Sequence, residues 1–274
     1  MNAKRDVSGS TRVVGVIGDP VVHSRSPAMH NAAFVALDFD WVYVAFPVAD
    51  GGGAAAVRAV PTLGLAGLNV TMPHKPDAAS ACDELTPEAA ALGAVNTVVN
   101  ADGSLVGHST DGDGFLRALD DEGVTIVGRR ALVVGAGGAG RAIAHALGRV
   151  GAAVTVAARR ATAGRDAAAL APDGIATGLT DIDVEPFDVI VNATPLGMRG
   201  EPPPFDAGRL HPGQFVFDTV YPAVTPLLVE ARARGLQAAG GLGMLVHQGA
   251  LSFSLWTGTT PPLEVMRAAA SADA

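Results

Sequence analysis

The chain has 274 residues, 49% hydrophobic and 17% charged, which is enough for one large or two modest domains and excludes broad disorder. Its formal charge of −8 argues against a nucleic-acid partner, because phosphate binding needs a basic face, so an anionic ligand must be met by local positive groups. Cys82 is the only cysteine, so no intramolecular disulfide can form and a reducing cytoplasm is expected.

In chain order, the opening Met1–Ser10 carries Lys4 and Arg5 without an apolar core behind them and does not read as a signal peptide. Val13–Ile17 is a short buried strand ended by the turn signal Gly18-Asp19-Pro20. His23-Ser24-Arg25-Ser26-Pro27 follows, then a helix through Met29, Ala33 and Leu37, with Pro27 in its first turn and Ser26 suited to the cap before it. Val42–Phe46 reads as a second strand and Gly52–Val60 as an Ala-rich helix. The third strand, Ala66–Val70, runs into Thr71-Met72-Pro73-His74-Lys75-Pro76. Ligands of parallel sheets sit at carboxyl ends of strands, so Thr71 and Lys75 fall where chemistry is expected, on a loop stiffened by two prolines. Gly93–Val99 is a turn into a strand with Asn96 at its entry. After a hairpin at Ala101–Ser104, the polar loop Gly107–Gly112 opens a helix with Phe115 and Leu119, Asp111 standing at the helix start where an acid commonly caps.

Four apolar residues, Ala131–Val134, then read as a strand buried on both faces, and Ile143 and Leu147 as the apolar stripe of a helix. Between them lie Gly135-Ala136-Gly137-Gly138-Ala139-Gly140. Gly135, Gly137 and Gly140 fit G-x-G-x-x-G in its required strand-before, helix-after context, which aims backbone N–H groups and a helix dipole at a pyrophosphate. Further strands at Val154–Ala157, Val189–Val191 and Phe215–Phe217 complete a doubly wound unit. The ends Asn192–Met198, with Thr194, and Asp218–Tyr221, with Thr219, should line its cofactor cleft. Past the second strand stand Ala158-Arg159-Arg160, with no acidic residue before Asp166. NAD binding normally uses an acid there for the ribose 2′-hydroxyl, whereas a guanidinium suits the 2′-phosphate of NADP. Gly235–Leu263 holds no charged residue, but Gln237, His247, Gln248 and six glycines interrupt it, so a buried loop and helix are expected rather than a membrane span. That helix, with Met244 and Gln248, comes too late for the sheet and is expected to pack back on the first domain. The seven histidines show no ligand spacing, and no metal is expected.

Seven motifs in order make the chain resemble the shikimate dehydrogenase family over nearly its whole length. They are His23–Pro27, Asn69–Lys75, Gly93–Thr97, Thr110-Asp111, Gly135–Gly140, Asn192–Met198 and Gly241–Gln248. The resemblance implies an α/β fold in which an N-terminal substrate domain and a doubly wound Rossmann-type cofactor domain are separated by a cleft. The expected boundaries are 1–112 for the first, with 243–274 packing back on it, and 113–242 for the second. It further implies that Ser24 and Ser26 hold a substrate carboxylate, that Thr71, Asn96, Tyr221 and Gln248 surround the ring and its hydroxyls, and that Lys75 and Asp111 are the catalytic pair. NADP is the implied cofactor, held by Gly135, Ala136, Gly137, Gly138, Ala139, Thr194, Thr219 and Gly241, with Arg159 first and Arg160 second at the 2′-phosphate.

Three positions depart from the family pattern: Ser109 precedes Thr110-Asp111 where Asn is usual, Ala158-Arg159-Arg160 replaces Asn-Arg-Thr, and the loop Tyr221-Pro222-Ala223-Val224-Thr225 is shortened. The implied reaction is reversible reduction of 3-dehydroshikimate to shikimate in a cytoplasmic enzyme, monomeric or homodimeric, with no nucleic-acid or membrane partner. A quinate or amino-shikimate dehydrogenase is the alternative enzyme, and a ligand-sensing relative the alternative without turnover. Ser26, a hydroxyl without a methyl, leans toward shikimate by analogy. Keeping both Lys75 and Asp111 speaks against the sensor, which has no use for a proton-transfer pair.

Overall fold

The computed structural model describes residues 7–180, 182–221 and 224–272. Residues 1–6 of the opening stretch, and Pro222 and Ala223 of the shortened loop, lie outside them. The chain divides into two units, Met1–Thr110 with Val246–Ala274, and Asp111–Leu245.

The first unit runs β1 (Arg12–Gly18), α1 (Ser26–Ala36), β2 (Trp41–Pro47), α2 (Gly53–Arg58), β3 (Gly67–Val70), α3 (Lys75–Ala81), β4 (Glu84–Leu85), α4 (Pro87–Leu92), β5 (Thr97–Ala101) and β6 (Ser104–His108). Its sheet has the order β2-β1-β3-β5-β6-β4. β2, β1 and β3 are parallel, whereas β5 runs antiparallel to both β3 and β6. The β5–β6 hairpin turns on Asp102 and Gly103, both at positive φ, with the Gly103 N–H donated to Asn100 Oδ1 at 2.9 Å. One face buries Ile17, Leu68 and Val70 against Val57, Val60 and Ala78 of the region from α2 to α3.

The second unit continues with α5 (Asp111–Asp121), β7 (Arg130–Val134), α6 (Gly138–Arg149), β8 (Ala153–Ala158), α7 (Ala161–Ala168), β9 (Ile175–Gly178), β10 (Val189–Asn192), β11 (Phe215–Asp218), α8 (Pro226–Ala233) and β12 (Gln237–Gly240). The sheet order is β12-β11-β10-β7-β8-β9 and every pairing is parallel. In chain order this is 3-2-1-4-5-6, a doubly wound sheet whose order reverses between β7 and β10. Alternation along β7 explains the burial on both faces. Ala131 and Val133 join a core with Phe115, Ile143, Leu147 and Phe217, while Leu132 and Val134 join Ile190, Val216, Leu227 and Ala231 on the other side. Phe115 and Phe217 meet edge to face with ring centroids 5.0 Å apart.

Two helices close the chain, α9 (Leu242–Thr257) and α10 (Leu263–Ser271). The uncharged segment therefore differs from the expected loop and helix: Gln237–Gly240 is the strand β12, paired with β11. Short, small and charge-free, it carries no alternation that would mark it in the sequence. Met244 also departs from the expectation of packing on the first domain. It is buried in the second unit's core with Phe115 and Ala118, and the division between the units falls one residue later, inside α9. Among the described residues no helix is long and apolar enough to cross a membrane.

Candidate functional site

Strand direction brings the candidate residues of the first unit to one edge of its sheet. The segments that leave β1 and β3 are stitched together, Thr71 N–H donating to Ile17 O and Asp19 N–H to Met72 O, each at 2.9 Å. β5 enters at the same edge, since Asn69 pairs in register with Thr97 and Val70 N–H donates to Asn96 O at 2.8 Å. β6 leaves there too, Thr97 standing opposite His108. Ser24, Ser26, Thr71, Lys75, Asn96 and Thr110 thus share the carboxyl end of the parallel strands.

Asn96 is the centre of this edge. Its Oδ1 accepts from Thr110 N–H at 2.8 Å, and its Nδ2 donates to Thr110 Oγ1 at 2.9 Å and to Gln248 Oε1 at 3.2 Å. The chain's late helix α9 therefore returns Gln248 to the residue with which the motifs grouped it. Behind Asn96 lies a buried relay not anticipated from the sequence: Asn69 accepts from the Tyr43 hydroxyl at 2.8 Å, and donates to Thr97 Oγ1 at 3.1 Å and Ser252 Oγ at 3.0 Å. An asparagine inside an otherwise apolar, fully buried strand is the signal that marks it. Burial also pushes the His108 imidazole below its usual range.

Lys75 is placed differently from the expected loop position. It is the first residue of α3, with Pro76 behind it in the first turn, and its carbonyl accepts from Val95 N–H at 3.0 Å. His74 just before it is fully buried, its Nε2 2.7 Å from Val48 O. The lysine is thus held by a ring anchored to the chain beyond β2 as well as by proline.

Ser26 is not the cap that the sequence suggested. The N-cap of α1 is Arg25, which makes no side-chain cap bond, and Ser26 is the first helical residue with Pro27 second. Ser24 Oγ accepts from Ser26 N–H at 3.3 Å, and Arg25 Nη1 donates to Ala272 O at 2.8 Å. The start of α1 consequently presents two serine hydroxyls, with Ser26 N–H already given to Ser24 and Pro27 carrying none, so the donors it can offer an anion are mainly side-chain hydroxyls. Asp111 and Tyr221 belong to the second unit, Asp111 as the buried first residue of α5 and Tyr221 half-buried beyond β11.

The second unit contains a cradle at its sheet's reversal point. Gly135 has φ +115°, and a Cβ there would come 2.7 Å from Ala193 O. A Cβ on Gly140 would strike Gly135 O, so α6 packs onto the turn only because both positions are bare. Gly137, by contrast, is exposed, and a Cβ there would meet no described atom within 4 Å. It is the N-cap of α6 and offers the first helix N–H groups no side-chain cap, which leaves this terminus for a ligand to meet. Ala136, Gly138 and Ala139 are partly exposed around it. These features fit the pyrophosphate of a dinucleotide.

Arg159 and Arg160 are exposed between β8 and α7, and neither guanidinium has an ion-pair or hydrogen-bond partner among the described residues. Thr194 follows β10, donating to Asn192 Oδ1 from both its N–H and its hydroxyl, at 3.1 and 2.7 Å. Thr219 follows β11, where its N–H donates to Asn192 O at 2.9 Å, and Gly241 lies so close to the Thr219 carbonyl that no side chain fits. The buried Asn192 that holds these threonines, and its bonded neighbour Asp218, were not singled out as site residues in the sequence. Both are polar residues closing apolar strands, which is the available signal.

Comparison with known proteins finds two family patterns, one near each end of the chain, and relatives that match nearly its whole length. The pattern described as "Shikimate dehydrogenase substrate binding domain" matches residues 16–98, and "Shikimate 5'-dehydrogenase C-terminal domain" matches residues 241–270. The shikimate dehydrogenase (NADP(+)) of Geobacter metallireducens is 45% identical, with 96% of each chain covered. A shikimate dehydrogenase crystallised with NADP+ superposes with a TM-score of 0.91 at 37% identity, covering 97% of this chain and 96% of the other. The Thermus thermophilus enzyme in complex with NADP(H) and shikimate gives 0.88 at 38% identity, covering 94% and 98%.

Proposed function

This chain belongs to the shikimate dehydrogenase family, and we propose that it catalyses the NADP-dependent, reversible reduction of 3-dehydroshikimate to shikimate as a cytoplasmic enzyme, monomeric or homodimeric. The observation that carries this reading is the polar sheet edge at which Asn96, Gln248, Thr71 and the two serines accompany Lys75. Such an edge suits a small, hydroxyl-rich acid. Ser24 and Ser26 bind its carboxylate, while Thr71, Asn96, Tyr221 and Gln248 hold the ring and its hydroxyls. NADPH, when bound, supplies the hydride to the ketone carbon. Lys75 gives a proton to the carbonyl oxygen as alkoxide character develops, and takes it back in the oxidation direction. Asp111 is its partner in proton transfer, accepting from a substrate hydroxyl. Gly135–Ala139 and the start of α6 hold the pyrophosphate, and Thr194, Thr219 and Gly241 line the cofactor side.

The test is direct: purified protein with shikimate or quinate and NADP+ or NAD+, read by the absorbance of reduced nicotinamide. Turnover is expected with shikimate and NADP+; a preference for quinate moves the enzyme to the alternative specificity, and no turnover with any pair overturns the reading. Replacing Ser24 or Ser26 by alanine is expected to raise KM for shikimate roughly ten- to hundredfold, the worth of about 1.5–3 kcal/mol for a hydrogen bond to a charged group. Unchanged KM values in both variants would leave these serines a purely local role at the helix start.

Arg159 and Arg160 bind the 2′-phosphate. They stand at the end of the second parallel strand, where the nearest acidic residue, Asp166, is already within α7. Arg159→Ala is expected to lower kcat/KM with NADP+ by about ten- to a hundredfold, a charge-assisted contact's worth, and to leave kcat/KM with NAD+ nearly unchanged. An intact NADP+ preference in that variant would move the contact to Arg160 or elsewhere.

A further inference from the structure

A single hydrogen-bonded clamp spans the ends of β10 and β11. Asn192 and Asp218, the last residues of these neighbouring strands, are register partners, so both side chains leave the sheet at the same height. Both are buried, Asp218 completely. Asp218 Oδ1 accepts from Asn192 Nδ2 at 3.0 Å and from Val220 N–H at 3.1 Å, and Oδ2 accepts from Thr225 Oγ1 at 2.6 Å. Asn192 passes the connection on: its Oδ1 accepts both bonds from Thr194, and its Nδ2 also reaches Leu196 O at 3.1 Å. Thr225 lies at the other end as the N-cap of α8, its Oγ1 accepting from Leu228 N–H at 3.4 Å.

We infer that the Thr225–Asp218–Asn192 chain positions the cofactor-side loops 193–198 and 219–221, with Asp218 as the positioning residue at its centre. A fully buried carboxylate is costly unless its lone pairs are occupied. Here three donors occupy them, and burial raises the Asp218 pKa against the lowering by those same donors. A structure that needed only to join β10 to β11 could do so through the strand ladder, which ends at this pair. The carboxylate instead ties together the two segments that leave the ladder, adding side-chain bonds to the backbone ones that carry on from Ala193 N–H to Val134 O at 2.8 Å and from Thr219 N–H to Asn192 O at 2.9 Å. Thr194 is consequently fixed by the Asn192 side chain, and Thr219, which keeps a backbone bond to Asn192 O, is followed by Val220, whose N–H the carboxylate holds. The link to cofactor binding rests on the function proposed above; the ordering of the loops does not.

The test uses Thr225→Val, Asp218→Ala and the conservative Thr225→Ser. Amide hydrogen exchange of residues 193–198 is followed in the cofactor-free protein, and the Kd for NADP+ is measured by calorimetry. Gly197 packs against the Thr225 side chain, so the decisive amide is that of Thr194, which reaches Thr225 only through Asn192 and Asp218; loss of the helix cap or of the Gly197 contact alone would leave it unaffected. Thr225→Val and Asp218→Ala are expected to speed exchange at Thr194 by about tenfold and to weaken NADP+ binding by a similar factor, whereas Thr225→Ser stays within threefold of the parent on both readouts. If Asp218→Ala does not fold, the valine and serine variants carry the comparison. Unchanged exchange at Thr194 in a folded Thr225→Val protein overturns the inference. Faster exchange in a protein whose parent does not bind NADP+ upholds the clamp and overturns the proposed function instead.

Discussion

Replacing Lys75 with alanine is expected to lower kcat by roughly 10²–10⁴, the usual range for removing a general acid–base group. A loss of that size follows from what the side chain is proposed to do and from how its backbone is held. The residue opens α3 at the polar edge of the first sheet, its carbonyl receives Val95 N–H, and the buried ring of the preceding His74 is tied to Val48 O. The Cα is therefore fixed by neighbours that the substitution leaves in place, and only the ammonium disappears. KM for shikimate should change far less than kcat, because Ser24, Ser26, Thr71, Asn96 and Gln248 are untouched. Steady-state kinetics with shikimate and NADP+ decide the matter. A kcat within a few-fold of the parent would reduce Lys75 to a binding residue.

The first unit is expected to lose stability in acid through His30. This histidine on α1 is wholly buried, its ring stacked on Tyr43 at a centroid distance of 4.4 Å, with Trp256 at 5.5 Å and Phe253 at 6.2 Å. Neither ring nitrogen has a hydrogen-bond partner among the described residues. Burial lowers its pKa from 6.5 to about 3. The unfolded chain therefore binds a proton at each pH between these values while the folded protein does not, so stability falls as pH drops from about 6.5 towards 3. The slope is about 1.4 kcal/mol per pH unit, or about 2 kcal/mol lost by pH 5 relative to neutral pH. His30→Leu should remove that dependence. Denaturant unfolding followed by Trp41 and Trp256 fluorescence, at about pH 7 and pH 5, would show the variant gaining about 2 kcal/mol on the parent at the lower pH. Parallel pH dependence in the two proteins would assign the acid sensitivity to another group.

Much of the site was readable from residues alone. The strand, glycine turn and helix at 131–148 are set by contacts between near neighbours: bare backbone at Gly135 and Gly140, and an apolar stripe of period 3.6 after them. That Thr71 and Lys75 follow a strand's carboxyl end was expected from one general property of parallel sheets, whereas Asn96 reaches the same edge because β5 runs antiparallel to β3. Ser26 shows where such local reading stops. Serine before proline at a helix start suggests a cap, yet the helix begins one residue earlier and Arg25 occupies the cap position without a side-chain bond.

What the sequence determined by itself was the order and type of most elements, the dinucleotide turn and the grouping of polar residues at strand ends, because these depend on periods and on residues a few positions apart. Long-range contacts set the rest: Gln237–Gly240 forms an edge strand, Met244 serves the second unit's core, His30 sits among aromatic rings, and Asn192 and Asp218 stand side by side. Each of these depends on a partner far away in the chain. Pairing register and burial are properties of the assembled neighbourhood, and no local pattern in a four-residue strand or a single buried side chain carries that information.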